Sequence, residues 1–343
     1  MDLPEILVFD SEDDEEAAST ELARQLEGMG IEDPYVLSSR HGEGLARNLP
    51  GKSERPPVSA DQKWAAEAGH RAQRAGAAAI VTIGGGRCLD VGKLAAARAG
   101  LTIVSVPTQL SHDGICSPVA VVPNEDNVAE SLGAIAPRLV FLSMPTLSRA
   151  PNASVQAGIG DLLANPLALR DWALATERGL EDSDQRAWDL SVESFELIEP
   201  YLDTDPVESM KDQKFLRRLA DALVLSGMAM IHSGTSRPAS GGEHEISHAI
   251  DELYGGRALH GAQVAFGCIF SVALYGEDGD AFRSRLTRLG LPQHPQEMGL
   301  TMDDVVRVLL AAPNTRPGRF TILEASDLNE SSARALVRRL WKD

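Results

Sequence analysis

The sequence predicts an α/β domain built on a parallel sheet, followed by an all-helical domain, and three observations carry that prediction. Short apolar runs alternate with helical segments from Glu5 to Leu142. A glycine triplet, Gly84 to Gly86, stands between one such run and a helix. Beyond about Ala157 the strand-like runs stop, and long Ala/Leu-rich amphipathic segments take over. Strands that alternate with helices imply a parallel sheet covered on both faces. The change of texture places a boundary between a unit at 1–150 and a second at 151–343.

The elements follow in order. EILVFD, residues 5–10, is a short apolar run ending in an acid. SEDDEE then caps a polar helical stretch that reaches about Gly30. Residues 34–38 read as a second strand, and 41–59, rich in Gly, Pro and charge, as a loop. The pattern is helical from Asp61 to Arg74, and 77–83 is a buried-strand run. After the glycines a helix is expected from about Leu89 to Arg98, then a strand at 102–106 stopped by Pro107, and another at 138–142. Helical segments follow at 161–180, 185–201, 213–231 and 330–341, with no internal repeat.

Composition bounds the function. A chain of 343 residues, 43% hydrophobic and 24% charged, is a globular sequence long enough for two domains. Fifty acidic residues against 32 basic ones give a net charge of −18. That balance argues against nucleic-acid or anionic-membrane partners but leaves room for a small phosphorylated substrate. Cys88, Cys116 and Cys268 share no metal-type spacing and read as reduced thiols. The acidic start does not read as a signal peptide, and no apolar run approaches a membrane span, so a cytoplasmic location is expected.

Two loops have the chemistry of a nucleotide crevice. In VTIGGGRCLDVGKLAA, residues 81–96, Gly84, Gly85 and Gly86 would let the backbone approach a diphosphate at a helix start. A ligand-free βα turn is the alternative, because Leu89 stands where the third glycine of G-x-G-x-x-G would be. SVPTQLSHDGICSP, residues 105–118, gathers Thr108, Ser111, His112, Asp113 and Ser117 after the next strand. Such side chains can hold a ribose, a carboxamide or a polyol, or simply cap a polar turn.

The helical half supplies metal-competent side chains. Asp161 is placed where a helix begins, and His260 opens an apolar helix. His244 and His248 lie four apart on one helical face, which on spacing alone makes them the obvious ligand pair. Each has an ordinary alternative as a cap or a core hydrogen-bonder. One carboxylate and two imidazoles beside a nucleotide crevice would suit metal-assisted hydride transfer.

The strings GGGRCLD, SVPTQLSHDGICSP, AGIGDLLAN, SRPASGGEHEISHAID, ALHGAQVAFG and RPGRFTILE run in order over about residues 78–325. In these the chain resembles the sn-glycerol-1-phosphate dehydrogenases. They fall within the superfamily of iron-type alcohol dehydrogenases, glycerol dehydrogenases and dehydroquinate synthases. The resemblance implies a dehydroquinate synthase-like fold and an NAD(P)-dependent interconversion of dihydroxyacetone phosphate and sn-glycerol 1-phosphate, in phospholipid metabolism. It implies NAD(P) contacts from Gly86, Arg87, Cys88, Leu89 and Asp90, from Thr108, Gln109, Leu110 and Ser111, and from Ser117 near the nicotinamide. Asp113 and His248 would contact substrate. Asp161, His244 and His260 would hold the metal, usually Zn2+ with Fe2+ or Ni2+ as alternatives, with Asp161 also close to substrate. This splits the i,i+4 pair between metal and substrate.

The chain departs from the family pattern in several places. A strand and helix that usually precede EILVFD have no counterpart, so the sheet is expected to be trimmed at an edge. The acid-rich SEDDEE follows Asp10, and the family's usual asparagine and threonine after that aspartate are absent. Gly242 and Ala164 stand for usual serines, and Gln109 and Leu110 for small residues. Asp10 is expected to face an adenosine ribose and favour NAD. A homo-oligomer is expected. The competing readings are a dehydrogenase of the same fold acting on another polyol or phosphosugar, a sugar-phosphate cyclase using NAD transiently, and a non-catalytic binding protein.

Overall fold

The structure is a computed structural model that describes residues 3–10, 14–203 and 210–341. Ser11 to Asp13 of the acidic segment lie outside the described residues.

Six parallel strands form the first layer: β1 (Glu5–Phe9), β2 (Tyr35–Ser38), β3 (Lys52–Glu54), β4 (Ala79–Gly84), β5 (Thr102–Pro107) and β8 (Leu139–Ser143). Their order is β1-β8-β5-β4-β2-β3. Every residue of β2, β4 and β8 is buried, as central strands of a parallel sheet covered on both faces must be. Alternate side chains divide between the two faces. Val81 and Ile83 pack with Leu22 and Leu26 of α1 (Glu15–Gly28). Ile80 and Ile103 pack with Ala68 and Ala72 of α2 (Gln62–Arg74) and Ala95 of α3 (Gly86–Ala99). The alanines let these helices lie close to the sheet.

Three details correct the sequence-based expectation. The presumed loop at 41–59 contains a one-turn helix, Glu43–Ala46, and the edge strand β3, held by pairing with β2. Helix α3 begins at Gly86, not near Leu89, so the third glycine is its first residue. An antiparallel hairpin, β6 (Val119–Pro123) and β7 (Ala129–Gly133), stands apart from the sheet and was not anticipated.

After β8 the described elements are helical. The longer ones are α4 (Asn152–Leu162), α5 (Asn165–Glu177), α6 (Gln185–Glu196), α7 (Gln213–Ser233), α8 (Gly242–Tyr254), α9 (His260–Leu274), α10 (Gly279–Leu289), α11 (Met302–Ala311) and α12 (Glu330–Leu340). The expected helix at 161–180 is two helices, because Pro166 occupies the first turn of α5 and restarts the chain there. Helix α9 is buried from Gly261 to Ala273 and is central to the helical core. No helix among the described residues is long and apolar enough to cross a membrane.

Candidate active site

Close helix crossings bring the site together. A Cβ on Gly261 of α9 would lie 1.9 Å from the Ala157 carbonyl oxygen, and one on Gly160 of α4 would lie 2.4 Å from that of Gly261. On the other side of α9, a Cβ on Gly267 would lie 2.4 Å from the Glu243 carbonyl of α8. Only glycine permits such backbone contact. These crossings set Asp161 near the end of α4 beside His244, in the first turn of α8, and His260, the first residue of α9. Asp161 therefore closes a helix, contrary to the expectation that it opens one.

The three donor atoms lie within 4.8 Å of one another. Asp161 Oδ1 is 3.8 Å from His244 Nε2 and 3.7 Å from His260 Nε2. Ligand bonds of about 2.1 Å in a tetrahedron put donors roughly 3.4 Å apart, so small side-chain movements suffice. The residues fit a divalent cation on a further ground: Asp161 Oδ1 is buried and has no hydrogen-bond partner. Burial, then the nearby Asp113, pushes the Asp161 carboxyl well up. Burial likewise holds His244 and His260 well below the usual imidazole range, in the neutral form a metal requires. His248 is also pushed down by burial. It sits one turn further along α8, outside this donor cluster.

The loop after β5 meets the donor set directly. The Asp113 amide donates to Asp161 Oδ2 at 2.9 Å, and Asp113 Oδ2 accepts from Ser226 Oγ at 2.9 Å. Burial raises the Asp113 carboxyl. Lys93 ties this loop down by donating to the Gly114 carbonyl at 2.9 Å and pairing with Asp90 at 2.9 Å. Asp113, His112, His248 and Ser117 line a cavity of about 260 Å³ with His244 and His260.

A second cavity, about 480 Å³, lies at the carboxyl ends of the parallel strands, where open α/β sheets take their ligands. Ser39 follows β2, Gly85 and Cys88 follow β4, Thr108 and Gln109 follow β5, and Thr146 follows β8. Arg87 lines both cavities. Gly84 ends β4, and Gly86 lies against His112, whose Nε2 would be 2.0 Å from an added Cβ. Asp90 and Ser117 face the smaller cavity. Leu89 and Leu110 point into the apolar core, and Ser111 is buried, so their side chains do not line either space. Asp10 is exposed beyond the edge strand β1 and does not line the crevice.

Sequence reasoning gave no role to Arg316, Ser236 or Ser131, yet all three line the smaller cavity. Arg316 belongs to the RPGRFTILE string, and that string was the available signal.

This architecture is that of the iron-containing alcohol dehydrogenases, and the family of that description matches residues 2–151. The fold is shared with a probable glycerol dehydrogenase from Sinorhizobium meliloti, at TM-score 0.80 and 21% identity over 98% of this chain and 96% of that one. Glycerol dehydrogenase from Schizosaccharomyces pombe shares it at TM-score 0.76 and 17% identity, over 98% and 89%. In sequence, the chain is 37% identical over 275 residues to glycerol-1-phosphate dehydrogenase [NAD(P)+] of Methanoculleus marisnigri, covering 80% of this chain and 75% of that protein. It is 38% identical over 259 residues to the enzyme of the same name from Hyperthermus butylicus, covering 76% and 73%. The chain belongs to the glycerol-1-phosphate dehydrogenase family.

Proposed function

We propose that this chain is a metal- and NAD(P)-dependent oxidoreductase that interconverts dihydroxyacetone phosphate and sn-glycerol 1-phosphate. The observation that carries the reading is the Asp161, His244 and His260 donor set, which lines a cavity that shares Arg87 with the crevice at the strand ends. Those three side chains would hold a divalent cation, and the larger crevice would hold the dinucleotide. When bound, the cation supplies a Lewis acid for the ketone oxygen and the nicotinamide supplies hydride.

The chain's own groups do the rest. Gly85 and the start of α3 offer backbone N–H groups to a diphosphate. Asp113 and His248 line the smaller cavity and would bind hydroxyl groups of the substrate there. Asp113, with its carboxyl raised by burial, can hold a proton beside the reacting oxygen, and His248, kept neutral, can accept one. Residues 1–150 would then form the nucleotide-binding unit and 151–343 the metal- and substrate-binding unit, in a cytoplasmic homo-oligomer.

The test is NADH oxidation with dihydroxyacetone phosphate against dihydroxyacetone, after metal stripping and zinc restoration. The phosphorylated ketone is expected to react far better, and only in the metal-restored protein. Full turnover without metal, or equal use of the two ketones, overturns the reading.

A further inference from the structure

Helix α8, which carries His244 and His248, has no side-chain cap of its own. Its cap residue is Gly241, which offers nothing to the orphan amides of a first turn. The cap comes from another helix. Asp171, in the middle of α5, is fully buried, and its Oδ2 accepts from the Gly242 amide at 2.8 Å. Gly242 is the first residue of α8, in the same turn as His244. The fit is close: a Cβ on Gly241 would lie 2.4 Å from Asp171 Oδ2 and 3.0 Å from Glu243 Oε2. Glycine at 241 is what lets the carboxylate come this near.

The other oxygen holds two more pieces of the helical core. Asp171 Oδ1 accepts from the Ile322 amide at 2.8 Å, at the start of the short helix Ile322–Ser326. It also accepts from the Tyr275 hydroxyl at 2.5 Å, just after α9. Three donors on two oxygens demand a group that only accepts, which a carboxylate is and a carboxamide is not. Burial, then the neighbouring Glu243, raises this carboxyl to about 7, while the three donors draw it down. A negative charge is also favoured at the amino-terminal end of α8. Asp171 lines neither cavity and is no member of the donor set, so it acts through other residues.

We propose that Asp171 is a positioning residue for the metal site, capping α8 from α5 and so fixing the turn that presents Glu243 and His244. The chain of contacts is short. Asp171 holds the Gly242 amide, Glu243 Oε1 accepts from the Gly241 amide at 2.6 Å, and the same oxygen meets His244 Nδ1 at 3.0 Å. Released from Asp171, the first turn of α8 would shift, and His244 Nε2 would leave its place 3.8 Å from Asp161 Oδ1. The role rests on the functional reading above, in that His244 must hold a cation for its placement to matter.

The test uses the full chain with zinc alone as the probe, its affinity read by competition with a chromogenic chelator. Asp171→Asn keeps the shape of the side chain but cannot accept from all three donors, and it is expected to lower zinc affinity roughly 10-fold. Tyr275→Phe is the comparison. It removes one donor and leaves the Gly242 bond, so it should lower the melting temperature yet hold zinc like the parent. Gly241→Ala displaces the same carboxylate without altering it and should weaken zinc binding by a similar factor. It decides the matter alone if Asp171→Asn fails to fold. Zinc affinity unchanged in Asp171→Asn and Gly241→Ala, or lost equally in Tyr275→Phe, overturns the positioning role. A parent chain that binds zinc but does not reduce dihydroxyacetone phosphate overturns the reaction and leaves this role standing. A parent that binds no zinc overturns both.

Discussion

His244 presents Nδ1 to Oε1 of Glu243 at 3.0 Å, and this contact leaves Nε2 as the nitrogen that faces Asp161. The carboxylate is itself fixed. Glu243 is fully buried, and its Oε1 also accepts from the Gly241 amide at 2.6 Å. An imidazole that donates to a carboxylate on one side is oriented and made a better donor to a metal on the other.

Glu243→Gln keeps the shape of this contact and removes its charge, while Glu243→Ala removes both. Zinc affinity, measured by competition with a chromogenic chelator, is expected to fall about 10-fold in the first and nearer 100-fold in the second. Unchanged zinc affinity in the alanine variant would show that His244 needs no such support.

The three histidines separate by metal content. His244→Ala and His260→Ala should each lose bound metal and nearly all turnover, since two donors cannot retain the ion. His248→Ala should keep its metal and lose roughly 2 to 4 orders of magnitude in catalytic efficiency, as expected for a substrate or proton-transfer contact. A metal-free His248→Ala protein beside a metal-loaded His260→Ala protein would refute this division.

The helix crossing can be tested without touching a polar group. Gly261→Ala places a methyl 1.9 Å from the Ala157 carbonyl and 3.0 Å from the Asp161 amide nitrogen, so α4 and α9 must move apart. Overpacking of this kind costs about 1–3 kcal/mol, and here it also separates Asp161 from His260. The variant should melt at a lower temperature and bind zinc less well. Gly28→Ala, where an added Cβ meets nothing within 4 Å, is the control. If both variants bind zinc like the parent, close approach of these helices is not what sets the donor geometry.

The strands of the sheet were legible in the sequence because each is an apolar run bounded by turn residues, as in AIVTIG and LVFLS. The edge strand KSE carries no such pattern, and only pairing with β2 makes it a strand. Periodicity runs through Pro166 without a visible break, which hides the end of α4 at Leu162. His244, His248 and His260 could be singled out because short local strings hold them. Ser131, which accepts a hydrogen bond from Arg316 across 185 positions, could not be, since a lone serine has no signature. Spacing also favoured His244 with His248 as ligands. The resemblance paired His244 with His260 instead, and the structure brings those two together with Asp161.

One hydrogen bond, from the Asp113 amide to Asp161 Oδ2, ties the loop after β5 to the carboxylate at the end of α4. Thr108 and Gln109 in the same loop line the larger crevice. A dinucleotide that shifted this loop would also shift the carboxylate, and the two sites would then be thermodynamically linked. Linkage is reciprocal: whatever factor the dinucleotide contributes to ion affinity, the ion must return to the dinucleotide. Loss of either one would then change the hold on the other by that same factor.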